Sequence, residues 1–91
     1  MRELVYDENG PMSKYLVCVD LKNNCNKFYF VQLLDPGENG GYLWTRYGRV
    51  GDRGVYKEDY IDSFDGSIKM FYRVVRQKLK KGYTEAKMNI D

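Results

Sequence analysis

Histidine is absent from this 91-residue chain, proline and cysteine occur twice each, and tryptophan once. Each shortage excludes something. Without histidine, general acid–base catalysis near neutral pH would need a perturbed carboxylate pair. The adjacent Glu58 and Asp59 do not form one, because neighbouring residues of a strand face opposite sides of its sheet. No cysteine or serine has an evident base partner for nucleophilic work. Gly37, Gly40 and Gly41 do not make a phosphate-cradling pattern before a helix. A zinc site needs about four Cys, His or carboxylate ligands at suitable spacing, and none is evident. The chain therefore reads as a binding module, not an enzyme, with no cofactor and no metal.

Long apolar runs are missing too. No stretch of about 18 apolar residues exists, and 31% of the residues are charged, so no membrane span or membrane partner is expected. The opening Met1-Arg2-Glu3-Leu4-Val5 lacks the apolar segment of a signal peptide. Two cysteines are too few for a disulfide scaffold. Cys18 and Cys25 read as free thiols of a reducing compartment, Cys18 on a strand and Cys25 in a more exposed turn.

What is present is aromatic and strand-forming. Hydrophobic residues make up 43% of the chain, with nine tyrosines and four phenylalanines, a composition that favours strands. The length supports one domain over residues 1–91, with a core near the lower limit for independent stability. Leu4 to Tyr6 reads as a short edge strand, ended by turn residues 7–11. Tyr15, Val17, Val19 and Leu21 alternate against Leu16, Cys18 and Asp20, the period of a strand. Lys22 to Asn26 reads as a turn rich in asparagine. Phe28 to Leu34 is nearly continuous in apolar residues, as a central strand buried on both faces would be. A glycine-rich loop over 35–41 leads to a strand from Tyr42 to Val50. A tight turn at 51–54 leads to another from Val55 to Ile61.

A helix follows. Ile68, Phe71, Tyr72, Val75 and Leu79 have the i, i+3, i+4, i+7, i+11 spacing of one helical face. Ser63 or Asp65 can cap its start, and Gly82 fits a glycine stop. One amphipathic helix must bury its apolar stripe against something. The fold class is therefore α+β: an antiparallel sheet of about five strands with the helix packed across a face.

The net charge of +2 is small, but its distribution is uneven. From Ile68 to Lys87 there are seven basic residues and one acid, Glu85. Such a run attracts phosphates, or it is a solvated helix face with cations near the negative end of the dipole. The second reading is the simpler one for the helix. The stretch Tyr42 to Gly51 is more specific. Alternation puts Tyr47 and Arg49 on one face, and Gly48 lets another backbone approach. A ring beside a guanidinium suits a base, a ribose and a phosphate, though a packed tyrosine and a solvated arginine give the same pattern. Trp44, three residues before Tyr47, falls on the opposite face and reads as a core residue.

Three blocks in order, Asn26 to Leu34, Trp44 to Gly51 and Lys80-Lys81-Gly82-Tyr83, resemble the WGR domain, named for its Trp-Gly-Arg triplet. The domain occurs in DNA-dependent poly(ADP-ribose) polymerases and some bacterial proteins. The resemblance spans roughly residues 14 to 85, and Tyr47 stands where the family usually has Trp. It implies that Tyr47 stacks on a terminal nucleotide and that Arg49 contacts the DNA terminus or a neighbouring polymerase domain, with Gly48 between them. Asn24, Asn26 and Lys27 are then candidates to receive a 5′-phosphate, turn chemistry being the alternative for the asparagines. The implied function is recognition of DNA ends or nicks, relayed to an ADP-ribosyltransferase domain that this chain does not carry. That is a role in the DNA damage response and DNA repair. The alternative is a protein–protein docking module with little DNA affinity. Location would be nuclear for a eukaryotic polymerase fragment and cytoplasmic otherwise.

Overall fold

A computed structural model describes residues 2–87; Met1 and residues 88–91 lie outside the described residues. The strands are β1 (Glu3–Leu4), β2 (Tyr6–Asp7), β3 (Gly10–Pro11), β4 (Ser13–Asp20), β5 (Cys25–Asp35), β6 (Gly41–Arg49), β7 (Val55–Ile61) and β8 (Thr84–Glu85). The helix α1 (Phe64–Lys80) lies between β7 and β8. The main sheet has six strands in the order β7-β6-β5-β4-β8, with β1 added to the far end of β5, and β2 and β3 form a separate hairpin. All pairings are antiparallel.

The α+β reading is thus correct, with one more strand in the main sheet than sequence periodicity suggests. The expected edge strand Leu4 to Tyr6 is split at Val5, which is buried and whose N–H donates to the Leu33 carbonyl at 3.0 Å. On either side of it the chain pairs with different partners. Residues Gly10–Pro11, expected as turn, form the return strand of the small hairpin. Thr84–Glu85 is too short and polar to carry a period of its own, and it is a strand only because β4 offers an open edge at Leu16 and Val17.

The helix begins at Ser63, whose hydroxyl accepts from the Gly66 N–H at 3.1 Å. It ends where Gly82 takes φ 99, a left-handed conformation cheap only for glycine. There Gly82 N–H donates to the Leu79 carbonyl and Tyr83 N–H to the Lys78 carbonyl, both at 3.1 Å, the two bonds of a Schellman stop. Phe71 and Val75 are buried against Leu16, Tyr29, Val31, Leu33 and Leu43 of the sheet. The stripe does not continue through Leu79 as its spacing suggests: Leu79 is 45% exposed, and Lys78 takes the inward position. Ser67 is fully buried beside Gly41, where a Cβ would meet the serine oxygen at 2.4 Å, so the helix packs tightly on β6 there.

The central strand β5 is not buried evenly on both faces. Tyr29, Val31 and Leu33 are buried under the helix, whereas Phe30, Gln32 and Leu34 are half-buried on the open face. A single helix covers only one face. Aromatic rings shield the other. Trp44 lies there, half-buried, edge-on to Phe30 with centroids 5.5 Å apart, rather than in the helix-covered core. Phe28 is the exception on that face. It is buried against Tyr15, which stacks on it at 5.8 Å, with the Arg46 guanidinium 5.0 Å from its ring.

Candidate nucleic-acid interface

Residues 27–29 of β5 and 47–49 of β6 lie beside the C-terminal end of α1. Their register places Lys27 opposite Arg49, Phe28 opposite Gly48 and Tyr29 opposite Tyr47. Alternation turns Lys27, Tyr29, Tyr47 and Arg49 to the helix side. Lys78 comes from the last turn of the helix and Tyr83 from the segment after it. Together they line a cleft of about 270 Å³.

The floor is aromatic. Tyr29 and Tyr47 stack with centroids 6.1 Å apart and planes 26° apart. Tyr29 is buried, while Tyr47 keeps 39% of its surface exposed. The rim is cationic. The Lys78 ammonium lies 4.5 Å from the centre of the Tyr29 ring and 5.4 Å from that of Tyr83, both within cation–π range. Burial, and then the charges of Lys81, Lys27 and Lys57, push the Lys78 ammonium below its ordinary value. Burial likewise pushes the Tyr29 and Tyr83 phenols up.

No carboxylate lines the cleft. The ion pairs among the described residues are Arg2–Glu58, Lys14–Glu85 and Lys57–Asp59. Lys27, Arg49 and Lys78 therefore have no acidic partner among the described residues. Two like charges directly opposite on adjacent strands are unfavourable, and this arrangement becomes favourable when an anion sits between them. A single phosphate over a flat aromatic floor meets that requirement chemically.

Gly48 has a structural reason of its own. A Cβ on Gly48 would come 2.9 Å from the Gly54 Cα, and one on Gly54 would come 2.3 Å from the Tyr47 carbonyl oxygen. The two glycines let the β6–β7 turn fold tightly over the strand end. Arg46, on the open face, pins this turn by donating to the Arg53 carbonyl at 2.7 Å. Gly54 has φ 75 as well. Gly54→Ala is expected to cost roughly 2 kcal/mol or more, from the left-handed backbone and the clash. Urea unfolding measures it; an unchanged midpoint would show that the close approach is dispensable.

Of the residues singled out from sequence, Lys27, Tyr47, Gly48 and Arg49 come together. Asn24 and Asn26 do not join them. Asn24 sits exposed in the hairpin turn with φ 52, the left-handed region that asparagine tolerates. Asn26 and Lys27 belong to β5, not to the turn, because the ladder begins already at Asp20 and Cys25. Asn26 therefore faces away from Lys27, and its carbonyl accepts the Val50 N–H at 3.0 Å. Lys78 is the residue that sequence reasoning passed over. Its signal was present: at i+7 from Phe71 and i+3 from Val75 it is a lysine on the apolar stripe, not on the solvated face.

Comparison with known proteins bears on the chain as a whole. The WGR domain family model matches residues 12–90. Protein mono-ADP-ribosyltransferase PARP3 of Homo sapiens is 35% identical over 66 residues, which are 72% of this chain and 12% of the relative. Poly [ADP-ribose] polymerase 2 of Arabidopsis thaliana is 34% identical over 70 residues, 75% of this chain and 11% of the relative. Its counterpart in Caenorhabditis elegans is 37% identical over 70 residues, covering 75% and 13%. The chain thus spans about an eighth of the length of these curated relatives. A protein of Bacteroides fragilis with a solved crystal structure superposes with a TM-score of 0.68 at 25% identity, over 82% of this chain and 19% of that one.

Proposed function

The chain belongs to the WGR domain family, which matches residues 12–90, and on that footing we propose that it is a nucleic-acid-binding module that recognises DNA ends or nicks through their 5′-phosphate. The observation that carries this reading is the trio Lys27, Arg49 and Lys78, without acidic partners among the described residues, around the stacked Tyr29 and Tyr47. The phosphate sits between the cations, and the terminal sugar or base lies on Tyr47. Stacking of this kind contributes roughly 1–3 kcal/mol per base, and tyrosine, with a smaller ring than the family's usual tryptophan, belongs low in that range. The cleft is small, about 270 Å³, so a terminus fits it better than the side of a continuous duplex. Phosphate and stacking contacts carry no base code, so sequence preference is weak.

In a longer protein of the kind its relatives represent, the module reports a break to an ADP-ribosyltransferase domain outside this chain. In a eukaryotic polymerase that work belongs in the nucleus. The expected result is tighter binding to nicked or 5′-phosphorylated duplex than to a closed circle of equal length. With about two to four phosphates contacted, log affinity falls with log salt with a slope on the order of −2 to −4. Fluorescence anisotropy over a salt series measures both. Equal affinity for closed circles would defeat the end-binding reading.

A second reading, docking of a neighbouring protein domain, is favoured by one observation. The open sheet face exposes Tyr56 by 72% and Tyr60 by 52%. A salt slope near zero together with retained binding of a partner domain would select it.

A further inference from the structure

Cys18 and Cys25 stand on the same face of the β4–β5 hairpin as Lys27, at the margin of the cleft. The Cys25 thiol donates to the Cys18 sulfur at 3.3 Å. Both are free and half-buried, so a small reagent reaches them. The turn joining them, residues 21–24, is exposed throughout. Among the described residues no group of three or more His, Cys, Asp or Glu stands close enough to hold a metal ion. Two thiols in contact with no third ligand have disulfide formation as their natural two-electron chemistry.

We infer that Cys18 and Cys25 form a reversible disulfide when a hydroperoxide oxidises them, and that this bond lowers the anion affinity of the adjoining cleft. The chemistry balances without a further reagent. One thiolate attacks the peroxide: a sulfur–oxygen bond forms, the oxygen–oxygen bond breaks, and the alcohol or water leaves with the proton. The second thiolate attacks the resulting sulfenic sulfur. The sulfur–sulfur bond forms and the sulfur–oxygen bond breaks, releasing water. Two thiols and one hydroperoxide give a disulfide, an alcohol or water, and one further water.

The link to the cleft lies in the register. Cys18 is paired with Lys27, and Cys25 with Asp20, so the cysteines are diagonal neighbours. Their sulfurs stand 3.3 Å apart, and a disulfide brings them to about 2 Å with the Cβ atoms about 4 Å apart. Closure therefore draws the start of β5 along β4. Asn26, next to Cys25, holds the Val50 N–H through its carbonyl. Lys27 and Arg49 face each other one step further on. Movement of Cys25 thus displaces both strand cations from the arrangement that receives the phosphate. Burying a cross-link at a cleft margin makes binding depend on redox state, the usual role of a disulfide in a reducing compartment.

The effect of closure on the cleft rests on the function proposed above; disulfide formation does not. Hydrogen peroxide is added to the reduced chain, remaining thiols are alkylated, and intact mass is read before and after dithiothreitol. A monomer two hydrogens lighter, unalkylated, and restored by dithiothreitol is expected; Cys25→Ser gives none. The oxidised chain is expected to bind a 5′-phosphorylated duplex about tenfold more weakly, as for loss of one charge-assisted contact. In parallel, the backbone amide resonances of Lys27 and Arg49 shift on oxidation, a readout that needs no DNA. Oxygen adducts or intermolecular dimers in place of the internal bond would overturn the disulfide. Unmoved Lys27 and Arg49 resonances would overturn the control of the cleft, even if no DNA form binds the reduced chain.

Discussion

Phe71→Ala is expected to destabilise the domain by about 3–5 kcal/mol, the range for deleting a buried aromatic ring from a core that collapses only in part. Phe71 is 1% exposed at the middle of α1 and belongs to the cluster with Leu16, Val31, Leu33 and Leu43. Among the described residues no second helix shares the task of covering this face. Domains of this size hold only about 5–15 kcal/mol in total. The variant is therefore expected to melt far below the parent or to be unfolded at ambient temperature. Leu79→Ala, one residue from the helix end and exposed, should move the melting temperature little. Calorimetry on the two side by side tests the claim. Equal losses would mean that the helix is not held through its central ring.

The second large effect is on binding. Lys27→Gln combined with Arg49→Gln is expected to weaken association with a 5′-phosphorylated duplex by about a hundredfold or more, each charge-assisted contact contributing roughly 1.5–3 kcal/mol. The same double variant should not lose stability. The two side chains are opposed on β5 and β6 and carry like charge without an acidic partner among the described residues. Relief of that repulsion holds the melting temperature level or raises it slightly. A fall in melting temperature with intact binding would show that the pair serves the sheet and not a ligand. Single variants at each position apportion the effect, since neighbouring charges do not act additively.

The sheet and helix were legible because their periods are strong. Tyr15 to Leu21 alternates cleanly, and Phe71 and Val75 lie on one helical stripe. What periodicity could not read were elements decided by distant partners. Thr84–Glu85 is a strand because Leu16 and Val17 lack a neighbour, and Glu3–Leu4 because β4 stops short of the end of β5. Of the candidate site, the pairing of Tyr47 with Arg49 followed from alternation. Asn26 was misplaced by one element boundary, and a shift of one residue on a strand reverses its face. Lys78 was hidden by its company: within a basic run it looked solvated, and only its helical phase marked it as inward.

The order of the sheet bears on how the molecule assembles. β4, β5, β6 and β7 are consecutive in the chain and adjacent in space, so their ladders close short loops at small entropic cost. The pairings of β1 with β5 and of β8 with β4 join segments far apart in sequence, and they are expected to form late. Lys27, Tyr29, Tyr47 and Arg49 belong to the early meander; Lys78 and Tyr83 arrive with the docking helix and the final strand. A chain emerging from the ribosome would therefore expose a half-built cleft, with its floor and two of its charges but without Lys78 and Tyr83. Competence to bind then coincides with completion of the fold, and the last contacts made during maturation are also the first to be surrendered when the domain begins to open.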